Sequence, residues 1–132
     1  MAIVVGLVPT PEGRTALEQA AEAAVREGTA LVAVRSLRPG REQDAEEVAE
    51  LEAVHSRVRA QLEAAGLAHD VREVPDSLDA AEDLIAAVEE TGAQLVVIGL
   101  RRRTPVGKLI LGASAQRVLL DAPCPVLAVK AP

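Results

Sequence analysis

The strongest constraint on this chain is a strand, a basic loop, a helix and a strand read in succession over residues 94–132. The apolar run Leu95-Val96-Val97-Ile98 ends at Gly99 and enters Leu100-Arg101-Arg102-Arg103-Thr104-Pro105-Val106-Gly107-Lys108. It leaves through Leu109-Ile110-Leu111-Gly112-Ala113-Ser114 into a helical pattern and closes with Pro125-Val126-Leu127-Ala128-Val129. Continuous apolar runs of this length fit strands covered on both faces, which is the situation in a parallel sheet. In such sheets ligands settle outside the carboxyl ends of strands, where the strand order reverses and helix N-termini converge.

The rest of the chain repeats the pattern. Ile3–Val8 reads as a first buried strand. Thr10-Pro11-Glu12 is a helix start, with Thr as N-cap, Pro in the first turn and an acid at the positive end of the dipole. Leu17, Ala20, Ala21, Ala24 and Val25 recur at helical spacing until Gly28. A second strand over Thr29–Leu37 holds Leu31-Val32-Ala33-Val34, and Arg38-Pro39-Gly40 turns the chain. A long helix is expected over Glu42–Ala65, with Val48, Leu51, Val58 and Leu62 on one stripe and Gly66 as its C-cap. His69–Val74 has strand character although it is polar. Asp76 or Ser77 is the expected cap of the next helix, whose Ala81, Leu84, Ile85 and Val88 face inward before Gly92. Strands alternating with helices predict an α/β fold, a parallel sheet with helices on both faces, in one domain over residues 1–132.

Composition narrows the function. Twenty acidic residues against fourteen basic give a net charge of −6, and the chain has no Phe, Tyr or Trp. Neither a general attraction to phosphate backbones nor the ring stacking used on single strands is expected, so no nucleic acid and no membrane is predicted as partner. Cys124 is the single cysteine, so no internal disulfide can form. The start lacks a basic n-region, and no apolar run approaches the ~20 residues of a membrane span, so the expected location is cytoplasmic.

Motif tests are mostly negative. The P-loop pattern needs a glycine where Arg102 stands and a hydroxyl where Leu109 stands, and no G-x-G-x-x-G occurs. His55 and His69 have no Cys or carboxylate at ligand spacing, so no metal is predicted. Ser114 has no evident His–acid partners; beside Gly112 it reads as a helix cap before it reads as a nucleophile. Cys124, between two prolines, reads as part of the approach to the last strand. Arg101-Arg102-Arg103 is either a solvated basic loop or an anion clamp beside a helix N-terminus. Of the two expected edge strands, the charged His69–Val74 discourages strand addition and the bare Val126–Val129 invites it. A homodimer through that last strand is one reading; its burial inside the sheet is the other.

Val96-Val97-Ile98-Gly99, Leu109-Ile110-Leu111-Gly112 and Ala122-Pro123-Cys124-Pro125-Val126-Leu127 together resemble the C-terminal signature of the universal stress protein family. The opening strand followed by Thr10-Pro11-Glu12 resembles its N-terminus. The resemblance implies a five-stranded sheet of order 3-2-1-4-5 and, commonly, homodimers through the last strand. It also implies either binding of ATP or a related adenine nucleotide or none at all. Nucleotide-binding members carry G-x2-G-x9-G-[S/T] and an Asp closing the first strand. Here Gly99 and Gly112 match, whereas Arg102 replaces the second glycine, Ala113 the hydroxyl, Val8 the Asp and Pro9 a frequent glycine.

The expected function is therefore a non-enzymatic stress-response or regulatory domain, homodimeric, with a degenerate nucleotide pocket and no required cofactor. The alternative is a genuine ATP, AMP or cyclic AMP binder in which Arg101–Arg103 and Lys108 replace the lost contacts, with the Gly112–Ser114 helix start completing the phosphate site. Its pocket would comprise Val8, Pro9, Thr10, Val34, Gly99, Arg101, Arg103, Gly112, Ala113 and Ser114. An enzyme using the same crevice has the least support, since no acid–base or nucleophile constellation is evident.

Overall fold

A computed structural model describes residues 1–38, 40, 43–101 and 111–132. The elements run β1 (Ala2–Gly6), α1 (Pro11–Glu27), β2 (Ala30–Ser36), α2 (Ala45–Ala64), β3 (His69–Val74), α3 (Ala80–Thr91), β4 (Leu95–Leu100), α4 (Ala113–Asp121) and β5 (Val126–Lys130). The five strands are parallel in the order β3-β2-β1-β4-β5, as the resemblance implied.

Strand alternation divides the core into two layers. Ile3, Val5, Leu31, Ala33 and Val97 face α1 and α2, where Leu17, Ala20, Ala21, Ala24, Leu51, Val58 and Leu62 meet them. Val4, Val32, Val34, Val96 and Ile98 face α3 and α4, where Ala81, Ala87, Val88 and Val118 meet them. The alanine-rich side of α1 explains how a core without aromatic rings closes, since small side chains let the helix lie close on the sheet.

Helix ends follow local chemistry. Thr10 Oγ1 accepts from Gly13 N at 3.1 Å, and Gly28 (φ +64) stops α1 in the left-handed region. The α2 reading needs trimming: Asp44 is the N-cap, accepting from Glu46 N at 2.8 Å, and Ala65 is the C-cap, with Gly66 (φ +70) one residue further on. Glu42 lies outside the described residues. Its stripe holds at Leu51, Val58 and Leu62, while Val48 is half-buried.

The expected cap of α3 is corrected. Asp79, not Asp76 or Ser77, accepts from Ala81 N at 2.9 Å. Ser77 is occupied elsewhere: its N–H donates to Leu37 O at 2.8 Å and its hydroxyl to Asp83 Oδ2 at 2.6 Å. Ser36 donates to the same oxygen at 2.6 Å, so Asp83 ties α3 to the ends of β2 and β3. Asp76 sits at φ +54, turning the chain ahead of the helix.

At the other edge, β5 pairs with β4 alone among the described residues, which removes the reading that buries it inside the sheet. Val96 N donates to Pro125 O at 3.1 Å, so by the alternation of a parallel ladder Leu127 and Val129 continue facing β4 while Val126 and Ala128 turn their backbone groups outward. No helix among the described residues is long and apolar enough to cross a membrane.

Candidate functional site

β1 and β4 lie side by side, and the chain leaves them in opposite directions, β1 toward β2 and β4 toward β5. This is the switch point of the sheet. A cleft of about 150 Å³ opens there. Gly6 and Gly99 form its floor, with Val8 at the rim; Gly13 and Ala16 of α1 close one side. Ala80, Ala81 and Leu84 of α3 and Ser114, Ala115 and Val118 of α4 close the other. Its surface is predominantly apolar, which suits the flat face of a base or sugar better than a chain of phosphates. A smaller hollow between Glu18, Glu22, Val54 and Arg57 lies on the helix layer, away from every strand end.

Two glycines make this geometry. A Cβ on Gly13 would stand 2.2 Å from Val8 O, and one on Gly99 would stand 2.4 Å from Glu12 O. The N-terminus of α1 therefore rests backbone to backbone on the loop after β1 and on the end of β4. Gly99 matches the position of a phosphate-loop glycine, and in this fold its smallness is already required by the packing of α1.

The remaining predicted residues divide. Val8, Gly99 and Ser114 meet in the cleft. Val34 does not: it is 3% exposed in the α3 layer, and its carbonyl accepts from Leu7 N at 2.8 Å. Pro9 O accepts from Arg14 Nη1 at 2.8 Å, and the Thr10 hydroxyl is committed to its cap. Gly112 is the N-cap of α4 and offers no side-chain cap; Ala113 is the first helical residue and Ser114 the second, so the reading of Ser114 as the cap is corrected. Arg101 places Nε 3.5 Å from Glu12 Oε1, with the Arg side chain mostly exposed and the Glu side chain mostly buried. Arg102, Arg103 and Lys108 lie outside the described residues.

Arg117 joins the two walls of the cleft that α3 and α4 supply. Its Nη1 is 2.8 Å from Asp79 Oδ2, its Nη2 pairs with Glu82, and its Nε is 3.5 Å from Asp121 Oδ2. Asp79 thus caps α3 with one oxygen and holds α4 with the other.

The sequence reading did not join His55 and His69, which meet with their Nε2 atoms 2.8 Å apart and their rings nearly perpendicular. No group of three metal-binding side chains occurs among the described residues. Cys124 is half-buried, and burial pushes its thiol up from the usual range against a weaker opposing bond from the Val96 backbone. That is the setting of an inert thiol.

The family model described as the universal stress protein family matches residues 1–130. The chain belongs to the universal stress protein family. A universal stress protein of Mycolicibacterium smegmatis is 44% identical over 128 residues, covering 97% of this chain and 96% of the relative. Among solved structures, a universal stress protein from Archaeoglobus fulgidus superposes with a TM-score of 0.73 at 30% identity, covering 98% of both chains. A universal stress protein from the same organism, in complex with dAMP, has a TM-score of 0.68 at 25% identity, again over 98% of both. Of the residues that depart from the pattern of nucleotide-binding members, Val8, at the first-strand Asp position, stands at the cleft rim, and Ala113, at the loop's hydroxyl position, in the first turn of α4.

Proposed function

We propose that the chain is a regulatory domain without catalysis of its own, which responds to an adenine nucleotide of the monophosphate class. The observation that carries this is the apolar cleft at the switch point, continuous with an α4 N-terminus whose cap residue has no side chain. Base and sugar would lie between Gly6, Leu84 and Ala115. A single phosphate would accept from the first N–H groups of α4. A longer phosphate chain is disfavoured, because Arg102 and Ala113 remove a glycine and a hydroxyl that the family's loop devotes to it. The A. fulgidus relative solved with dAMP supports the same ligand class.

Calorimetry with AMP, dAMP, cyclic AMP and ATP on nucleotide-stripped protein tests this. Binding of a monophosphate in the micromolar range, tighter than ATP, is the expected result. Gly6→Leu is the matching variant. A Cβ on Gly6 meets its nearest neighbour, Val8 Cγ2, at an ordinary 3.5 Å, so a longer side chain grows into the cleft and not into the core. Affinity should fall at least thirtyfold, about 2 kcal/mol, with the melting temperature nearly unchanged. Absence of heat up to millimolar nucleotide in the parent protein rejects the reading.

A second reading, a vestigial cleft in a domain that acts through protein contacts, is favoured by one observation. Arg101, the described member of the basic run, already faces the Glu12 carboxylate. Under this reading Glu12→Gln frees Arg101 without creating nucleotide affinity.

We also propose a homodimer through Val126–Val129, supported by the open edge of β5 and the exposed Leu127 and Ala128. Ala128→Pro removes an outward N–H and leaves the ladder to β4 intact. Sedimentation should report a dimer for the parent and a monomer for the variant; a monomeric parent would refute the assembly.

A further inference from the structure

His55, on α2, is fully buried, and His69 opens edge strand β3. The hydrogen bonds fix the proton positions. His69 Nδ1 lies 3.0 Å from Leu31 O, and a carbonyl can only accept, so Nδ1 carries hydrogen. In the neutral ring His69 Nε2 is then a bare lone pair, and the proton between the rings belongs to His55 Nε2. That leaves His55 Nδ1 bare, buried and without a partner among the described residues. Adding a proton is unfavourable at either place. On His69 Nε2 it would set two N–H groups against each other across 2.8 Å; on His55 Nδ1 it would leave a buried N–H with no acceptor among the described residues, whichever ring then holds the inter-ring proton and the charge.

We propose that the His55–His69 pair is an acid-released latch, in which uptake of a proton separates helix α2 from the amino end of edge strand β3.

The surroundings favour the neutral, closed state. Burial pushes His55 down from 6.5 to about 4; Arg59 of α2, His69 of β3 and Arg35 of β2 act in the same direction, and Glu52 of α2 opposes them. Glu52 is engaged by Arg35 at 3.1 Å. Asp70 and Arg72 alternate onto the other face of β3, where Arg72 pairs with Glu90 of α3. Glu18 and Glu22 of α1 face Val54 and Arg57, on the opposite flank of α2.

The sign follows from linkage. In the open form the His55 ring reaches water and protonates near its ordinary 6.5, while in the closed form burial holds it down to about 4, so opening grows as pH falls through 6.5. What opening uncovers is the apolar stripe Leu51, Val58 and Leu62 beside His55. The pair lies at the amino ends of the strands, away from the β1–β4 cleft, so the latch does not depend on what that cleft binds.

Hydrogen exchange at pH 7.5 and 5.0, corrected for intrinsic rates, tests the latch. Protonation of His55 alone predicts about thirtyfold more opening of α2 and β3 at pH 5.0, with β1 and β4 changing far less. His55→Gln supplies an amide donor to His69 and takes up no proton, so its acid response should shrink to a fewfold. Equal responses in parent and variant overturn the proposal, as does unchanged α2 exchange in the parent. Should His55→Gln fail to fold, nitrogen-15 spectra of the parent decide. His55 protonated only at Nε2 and still neutral at pH 5.5 supports the latch; His55 titrating near 6.5 in the folded protein overturns it.

Discussion

Gly13→Ala should destabilise the protein by about 2–3 kcal/mol, lowering its melting temperature by roughly 10 °C. Helix propensity predicts the opposite sign. Gly13 is the third residue of α1, and within a helix alanine is better than glycine by about 1 kcal/mol. The contact decides, because the new Cβ would stand 2.2 Å from Val8 O, 2.8 Å from Val8 Cβ and 2.9 Å from Val8 C. These are backbone and branched atoms with no rotamer to escape into, so α1 must lift from the loop after β1. Thermal melts of Gly13→Ala and Gly99→Ala measure the effect. Both should fall, since the second places its Cβ 2.4 Å from Glu12 O. A Gly13→Ala protein as stable as its parent would show that α1 is not held where its backbone contacts put it.

Leu17→Ala should cost about 3–4 kcal/mol. Leu17 is fully buried at the centre of α1, among alanines and against the sheet. Its neighbours cannot readily fill the vacated space, because Ala16, Ala20, Ala21 and Ala24 have no longer side chains to swing into it. The loss therefore belongs in the upper part of the range for buried leucines. Urea denaturation should show a lower midpoint with an unchanged slope, the signature of lost packing without a change in the surface exposed on unfolding. In a core with aromatic rings a neighbouring ring could partly refill such a hole; a loss below about 2 kcal/mol would mean that α1 itself settles inward.

How much of this was legible depended on the range of the interaction. Strands and helices were read from local runs such as Leu31–Val34 and from the alanine face of α1, and the sheet order followed from the resemblance to a family. Three of the predicted pocket residues, Val8, Gly99 and Ser114, meet because each stands at the end of an element that the topology brings to the same rim. Val34 is not among the residues that line the cleft, and its carbonyl accepts the Leu7 N–H, a contact between distant elements that local sequence does not carry. The α3 cap departs from the sequence expectation for a related reason. Asp76, Ser77 and Asp79 are equally good caps locally, and Ser77 is removed from the choice by Leu37 and Asp83, both distant in sequence. The Ala80, Ala81 and Leu84 wall was visible only as an apolar stripe, which reads as core whether or not a cleft borders it. His55 and His69 are fourteen residues apart on different elements, and only the docking of α2 beside β3 makes them a pair.

The Arg117 contacts give the cleft an asymmetric mechanical character. On the α1 side the rim is set by van der Waals contact, backbone against backbone at Gly13 and Gly99, which carries no charge for electrolyte to screen. On the other side, α3 and α4 are tied by a partly exposed guanidinium among Asp79, Glu82 and Asp121. Attraction of that kind fades as electrolyte accumulates, over a screening length of about 8 Å at 0.15 M and 3 Å at 1 M. The compliance of one jaw is thus a function of ionic strength while the other stays fixed, so the width of the cleft answers to dissolved salt from one side only.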